Sequence, residues 1–185
     1  MSTKNIAVIV GSLRKESISR KVAENLIALA PPSLKPAIVE IGDLPLYNLD
    51  LETDAPPPAW QRFRDQVRAA QGLLFVTPEF NRSVPGALKN AIDVGSRPYG
   101  KSVWAGKPGA IVSGSIGSVG GFGANHALRQ SMVFLDVPLL QQPEVYLSHF
   151  DKLIQPDGKL VPATEEFLRK FMQTFAAWVD KIAGS

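Results

Sequence analysis

The sequence contains no cysteine and only two histidines, His126 and His149. Without thiols there can be no disulfide, thiolate nucleophile, iron–sulfur cluster or cysteine-ligated zinc site. The two histidines do not have a metal-ligand spacing, so we expect no metal site. A Ser-His-Asp hydrolase would need a Gly-x-Ser-x-Gly nucleophile elbow, and residues 114–117 lack that spacing. These absences disfavour acyl transfer and metal-assisted chemistry.

Long apolar runs and a strong charge of one sign are also missing. No run approaches the roughly 20 apolar residues of a membrane helix, and no N-terminal signal pattern is present, so we expect a cytoplasmic protein that does not bind membranes. The net charge is +3, from 20 basic and 17 acidic residues. The basic residues are dispersed, without the stripe and interleaved aromatics of a nucleic-acid-binding domain. Neither the dinucleotide-binding glycine fingerprint nor a Walker motif occurs.

Apolar segments of two kinds alternate along the chain. Five short apolar segments are typical of strands, and the central ones read as buried on both faces: residues 6–10, 37–41, 73–77, 109–113 and 137–140. Five further segments repeat apolar residues at helical spacing. The alternation predicts a parallel α/β sheet with helices on both faces, in one domain spanning residues 1–185. In such folds ligands bind at the carboxyl ends of the strands.

The turn between the first strand and the first helix concentrates hydrogen-bond donors. Within residues 11–19 there are three serines, Ser12, Ser17 and Ser19, and one arginine, Arg14. A helix N-terminus attracts anions, and an arginine can pair bidentately with a phosphate. Ser17 or Ser19 could instead be only an N-cap, and Arg14 only a solvated charge. The four together favour a phosphate site.

Two other unusual loops are predicted at the same edge of the sheet. Residues 78–86 follow the third strand, and residues 114–123 follow the fourth and contain five glycines. Such a density of glycine indicates close backbone approach or positive φ angles. A hydroxyl-rich loop closes well around a terminal phosphomonoester. FMN has such a group, and the two other loops could supply walls for its flat ring.

Three segments resemble the NAD(P)H-dependent FMN reductase family, in particular its bacterial quinone and chromate reductases. They are Gly-Ser-Leu-Arg-Lys-Glu-Ser at 11–17, Thr-Pro-Glu-Phe-Asn-Arg-Ser-Val-Pro-Gly-Ala-Leu-Lys-Asn-Ala-Ile-Asp at 77–93, and the glycine-rich run at 114–121. The resemblance implies a flavodoxin-like three-layer sandwich with the strand order 2-1-3-4-5. It also implies FMN as cofactor, NAD(P)H as co-substrate, and a homodimer or homotetramer.

The same resemblance assigns the cofactor contacts. The FMN phosphate would be held by four residues: Ser12, Arg14, Ser17 and Ser19. Four residues would lie along the isoalloxazine, largely through backbone groups: Pro78, Glu79, Phe80 and Asn81. Three would face the other side of the ring: Gly114, Ser115 and Gly117. Relatives often carry asparagine, tyrosine and tryptophan where this chain has Ser19, Phe80 and Val94, so a role that needs a hydroxyl at position 80 is not available here.

The implied mechanism leaves the reaction to the cofactor. A hydride would pass from NAD(P)H to N5 of FMN and on to a quinone, with free flavin, azo dyes and chromate as further acceptors. No catalytic side chain is required. Glu79 could act as a proton donor, or could only stabilise a turn or a helix N-terminus.

Two alternative functions remain open from the sequence. One is a flavodoxin-type electron carrier, which would bind the same cofactor without turning over NAD(P)H. The other is an NAD(P)-binding oxidoreductase or sensor that contains no flavin.

Overall fold

The computed structural model describes residues 3–184 and contains one five-stranded parallel sheet with five α-helices. The strands are β1 (Lys4–Val10), β2 (Leu34–Ile38), β3 (Gly72–Pro78), β4 (Gly109–Gly114) and β5 (Val145–Leu147). The helices are α1 (Ile18–Ala28), α2 (Pro58–Ala69), α3 (Gly86–Gly95), α4 (Phe122–Phe134) and α5 (Pro162–Ala183). The strand order β2-β1-β3-β4-β5 confirms the predicted flavodoxin-like sandwich.

The central strands contribute to two cores because successive side chains of a strand point to opposite faces. Val8 of β1 packs in the core that includes residues of α1 and α5, whereas its neighbour Ile9 packs in the core that includes residues of α2, α3 and α4. Phe171 and Phe175 of α5 stack in the first core, as their helical spacing predicts. Among the described residues, no helix combines the length and hydropathy needed to cross a membrane.

The predicted position of the second strand was wrong by three residues. The prediction placed it at residues 37–41, whereas β2 covers Leu34–Ile38. Val39 and Ile41 are buried in the loop that follows, and the Val39 N–H still donates to the Val8 carbonyl at 2.9 Å. An edge strand alternates between buried and exposed residues, so its apolar density is lower than that of the loop beside it. Pro36, which lacks an N–H, is tolerated at an edge.

The predicted fifth strand, at residues 137–140, was also wrong. Leu139 forms only an isolated bridge with Gly109, and the paired strand β5 begins at Val145. Pro138 removes one backbone donor at this point, and the chain then runs along the start of β4 before pairing with its end. The true position of β5 matters for the site, because it brings residues 148–150 beside the glycine-rich loop.

A buried ion pair closes the long loop between β2 and α2. Arg64 of α2 pairs with Glu52 at 2.6 Å, with only 3% and 9% of the two side chains exposed. The Arg64 Nε–H also donates to the Val94 carbonyl in α3 at 2.9 Å. Asn90 accepts a hydrogen bond from the Tyr47 N–H at 2.8 Å. These contacts attach the loop to both helices.

Candidate cofactor site

A crevice of about 470 Å³ lies at the carboxyl edge of the sheet, between the loops that follow β1, β3 and β4. Its volume is in the range typical of small-molecule sites. Nine of the predicted contact residues line it: Ser12, Arg14, Ser17, Ser19, Pro78, Glu79, Phe80, Gly114 and Ser115. Asn81 and Gly117 belong to the same loops but are not among the lining residues. The sequence prediction did not include Pro85, Ala87, Ile116 or Phe150, which also line the crevice.

The first end of the crevice is built around the N-terminus of α1. Ser17 is the N-cap, and its hydroxyl oxygen accepts a hydrogen bond from the Arg20 N–H at 3.1 Å. The N-cap interpretation of Ser17 is therefore correct, but its own O–H can still donate. Ser17 and Ser19 are both buried. A buried hydroxyl can donate to a ligand with little competition from water.

Several donors at this end have no acceptor within residues 3–184. The amides of Ile18 and Ser19, in the first turn of α1, form no backbone hydrogen bond there, and the Ser19 hydroxyl forms none either. Of the nine arginines in the sequence, Arg14 is the one whose guanidinium contacts no acceptor in the described part of the chain. Free amides, a free hydroxyl and an unpaired cation fit an anionic phosphate.

The second end of the crevice consists of two backbone walls: the segment at residues 78–85, from the end of β3 onward, and the glycine-rich segment at residues 114–121, from the end of β4 onward. The two walls are hydrogen-bonded to each other. The Glu79 N–H donates to the Gly114 carbonyl at 3.3 Å. Backbone hydrogen bonds attach Ser115 to β5 and to the turn after it. The Ser115 N–H donates to the Leu147 carbonyl at 3.1 Å, and the Ser115 carbonyl accepts from the Phe150 N–H at 3.0 Å. A Cβ at Gly114 would lie 2.7 Å from the Phe150 ring, so this wall requires glycine.

Apolar side chains surround the opening between the walls. Leu13, Phe80 and Ile116 line the crevice and are 56%, 65% and 74% exposed. Exposed apolar groups at the mouth of a crevice indicate a binding surface for an apolar partner. Together with the backbone walls, they fit a flat heteroaromatic ring.

Glu79 has its carboxylate at the N-terminus of α4. One carboxylate oxygen accepts hydrogen bonds from the Gly123 N–H at 2.7 Å and the Ala124 N–H at 3.3 Å. The other oxygen pairs with Arg82 at 3.2 Å. Glu79 was considered as a proton donor or as a carboxylate that stabilises a turn or a helix N-terminus. The structure shows it bound at a helix N-terminus.

A surface ion pair attaches helix α1 to the loop after β2. Arg20 of α1 pairs with Glu40 at 2.6 Å. Its hydrogen bond lowers the pKa of the Glu40 carboxyl, and partial burial of the carboxylate opposes this. Arg14, Arg20 and Glu40 line a second cavity of about 290 Å³ next to the main crevice.

The fold and the crevice define a flavodoxin-like protein with a site for a phosphorylated, planar ligand. A family model described as NADPH-dependent FMN reductase matches residues 4–152. A quinone reductase from Pseudomonas putida is 63% identical over 175 residues, covering 95% of this chain and 94% of the relative. A 2-hydroxy-1,4-benzoquinone reductase from a Burkholderia species is 47% identical over 175 residues, covering 94% and 95% of the two chains.

A solved structure agrees with these sequence relatives. The flavoenzyme NAD(P)H:(acceptor) oxidoreductase FerB from Paracoccus denitrificans superimposes with a TM-score of 0.91 at 38% identity, covering 97% of this chain and 99% of that one. The chain belongs to the NADPH-dependent FMN reductase family. The family predicted from the three sequence segments is thereby confirmed.

Proposed function

We propose that this protein is an FMN-dependent oxidoreductase that uses NAD(P)H to reduce quinones. The observation that carries the proposal is the asymmetry of the crevice, which has free donors and a cation at one end and backbone walls with an apolar rim at the other. Membership of the NADPH-dependent FMN reductase family supports both the cofactor and the reductant. The family is one of reductases, so we set aside the electron-carrier alternative.

The residues of the crevice divide between holding the phosphate and shaping the ring site. When bound, FMN supplies hydride transfer between the nicotinamide and the acceptor. Arg14 and the serine hydroxyls hold the phosphate, and this sets how far the ring enters the crevice. The walls around Pro78 and Gly114 offer mainly backbone groups, which orient the polar edge of the ring. No side chain has to form a covalent bond.

The acceptor is a planar quinone. Two relatives are a quinone reductase and a 2-hydroxy-1,4-benzoquinone reductase, and the exposed apolar groups Phe80 and Ile116 suit such a ring. Activity toward free flavin, azo dyes and chromate stays a prediction.

The remaining expectations belong to the same proposal. The chain forms one FMN-binding domain over residues 1–185 and acts in the cytoplasm, where reduced nicotinamide nucleotides are available. It assembles as a homodimer or homotetramer. Support for assembly comes from the apolar residues Val133 and Phe134 at the end of α4 and from Tyr99, which are 77%, 85% and 93% exposed.

The test is an anaerobic spectrum of the protein after incubation with FMN and gel filtration. We expect retained flavin absorbance that bleaches on addition of NADPH or NADH and returns on addition of 1,4-benzoquinone. Flavin that stays yellow with both nucleotides would restore the electron-carrier alternative. Protein that remains colourless after incubation with FMN would instead favour a flavin-free oxidoreductase or sensor.

A further inference from the structure

We propose that Glu79 is a positioning residue that sets the separation between the two ring-binding walls of the crevice. The inference rests on the proposed function, since it concerns how the same site receives a flavin. Glu79 belongs by its backbone to the wall after β3 and by its carboxylate to the start of α4, which follows the glycine-rich wall. One residue therefore connects both walls.

The contacts of Glu79 form a closed bridge across the crevice. Its N–H donates to the Gly114 carbonyl at 3.3 Å, at the beginning of the opposite wall. Its carboxylate accepts hydrogen bonds from the Gly123 N–H (2.7 Å) and the Ala124 N–H (3.3 Å), in the first turn of α4 just beyond the far end of that wall. The Glu79 side chain is only 12% exposed, so water competes weakly for these bonds.

Helix α4 depends on this carboxylate because its own N-cap has no side chain. The N-cap is Gly121, which makes no side-chain capping bond. The first amides of a helix need acceptors from elsewhere, and a negative charge there is favourable for the helix dipole. Glu79 supplies both from a loop 44 residues earlier in the chain. Loss of the carboxylate should therefore loosen the glycine-rich wall as well as its own loop.

The conformation of the loop after Glu79 brings a third donor, the Arg82 guanidinium, to the Glu79 carboxylate. Asn81 and Arg82 have φ angles of 51° and 63°, a left-handed conformation that non-glycine residues adopt at a cost. The resulting turn, closed by reciprocal backbone bonds between Phe80 and Ser83, brings the Arg82 guanidinium to 3.2 Å from Glu79. Both carboxylate oxygens thus act as acceptors, and a proton on either would displace a donor.

The experiment compares four proteins: the wild type, Glu79→Ala, Glu79→Gln and the control Glu166→Gln. Glu166 lies on α5, where its only described ion pair is with the exposed Lys170. FMN and riboflavin are titrated separately into each flavin-free protein, with flavin fluorescence as the readout. We expect Glu79→Ala to weaken both flavins about tenfold and equally, because the ring walls are common to both. Glu79→Gln keeps an acceptor oxygen for the Gly123 and Ala124 amides and loses only the pair with the exposed Arg82, so it should recover most of the loss. Glu166→Gln should match the wild type.

Three results would overturn the inference. Unchanged binding of both flavins by Glu79→Ala would show that the bridge does not shape the ring site. A loss confined to FMN would move its effect to the phosphate end. Normal binding of both flavins by Glu79→Ala and Glu79→Gln, together with a loss of more than about tenfold in turnover and of one limb of the pH–rate profile in Glu79→Gln, would make Glu79 a proton donor instead.

Two further measurements keep these results interpretable. The thermal unfolding of each flavin-free protein reports any general loss of stability. The inference concerns flavin affinity, and it is in flavin affinity that the rescue by glutamine is expected. If Glu79→Ala does not fold, Glu79→Asp replaces it, and an unchanged affinity of this shortened variant for both flavins would also overturn the inference. Wild-type protein that binds neither flavin would contradict the proposed function itself.

Discussion

The two ends of the crevice differ in how their polar groups are satisfied. At the end formed by α1, the Arg14 guanidinium, the Ser19 hydroxyl and the amides of Ile18 and Ser19 have no acceptor within residues 3–184. At the other end, polar groups bond to each other across the loops. Ser113, for example, donates to the Gly120 carbonyl at 3.0 Å, and Glu79 occupies the amides of α4.

This difference indicates two kinds of recognition within one site. Free donors gain partners only when a ligand binds, so removing one of these free donors should alter ligand affinity with little effect on the stability of the flavin-free protein. The internally bonded end recognises shape, and changes there should alter stability and affinity together. The variants below test this contrast.

The largest effect is expected for the double variant Ser12→Ala/Arg14→Ala. Charge-assisted hydrogen bonds contribute about 1.5–3 kcal/mol each, so we expect FMN to bind at least about 100-fold more weakly. Riboflavin affinity and the unfolding temperature should change little, because riboflavin has no phosphate and the Arg14 guanidinium has no partner within residues 3–184. The Ser12 hydroxyl accepts only a long, exposed hydrogen bond of 3.4 Å from the Arg14 N–H. Fluorescence titration measures both flavins. Lys15→Ala, at a neighbouring exposed cation, is the control, and an unchanged FMN affinity of the double variant would remove the assigned phosphate site.

At the other end, Gly121→Ala should affect stability and affinity together. Gly121 has a φ of 75°, and a Cβ there would lie 3.0 Å from the Gly114 amide nitrogen. A left-handed conformation costs a non-glycine residue about 1–2 kcal/mol, and the close approach adds to this. We expect a lower free energy of unfolding and weaker binding of both flavins.

Gly158→Ala is a matched control for that variant. Gly158 has a φ of 84°, but a Cβ at this position would point into open space, with no atom beyond the adjacent residues within 4 Å. It also does not line the crevice. The variant should lose a similar stability in chemical denaturation while flavin affinity is unchanged. Equal effects of the two variants on flavin binding would show that the glycine-rich wall does not contact the ring.

The central strands could be predicted because they are apolar on both faces, as in β1 and β3. Their loops, and so the crevice, were therefore placed correctly. The edge strands were misplaced since burial on one face leaves a weaker pattern: β2 alternates, and β5 has only three residues. The register of an edge strand is decided by which segment reaches the neighbouring backbone, and this is not visible in local composition.

The site shows the same limit. Ser12, Arg14, Ser17 and Ser19 lie within one short turn, so a local motif could identify them together. The bond from Glu79 to the amides of α4 and the contribution of Phe150 to the crevice depend on contacts between distant segments. No spacing rule links these positions. Phe150 reaches the glycine-rich loop because β5 lies at Val145–Leu147 and not at the predicted residues 137–140.

Two serines of the same turn should separate stability from affinity. Ser17→Ala removes the N-cap of α1 and should cost about 1 kcal/mol in the free energy of unfolding, in addition to weakening FMN. Ser19→Ala removes a hydroxyl without a partner within residues 3–184, so its stability should stay within about 0.5 kcal/mol of the wild type while FMN binds several-fold more weakly. Urea denaturation and FMN titration measure the two quantities. A destabilised Ser19→Ala with normal FMN affinity would contradict the assignment.

The smallest effect is expected for Glu40→Gln, which removes the ion pair outside the crevice. Arg20 lowers the pKa of Glu40 in the folded protein, so the pair stabilises the fold above the ordinary glutamate pKa of about 4.3 and loses this contribution as the pH falls through the lowered value. The two side chains are 40% and 60% exposed, so the difference from the wild type at pH 7 should be no more than about 1 kcal/mol. Urea denaturation between pH 3 and 7 should show that difference closing only at the acid end. A difference that is constant with pH would mean that Glu40 acts through packing, and a large loss of FMN affinity would extend the phosphate end to the loop after β2.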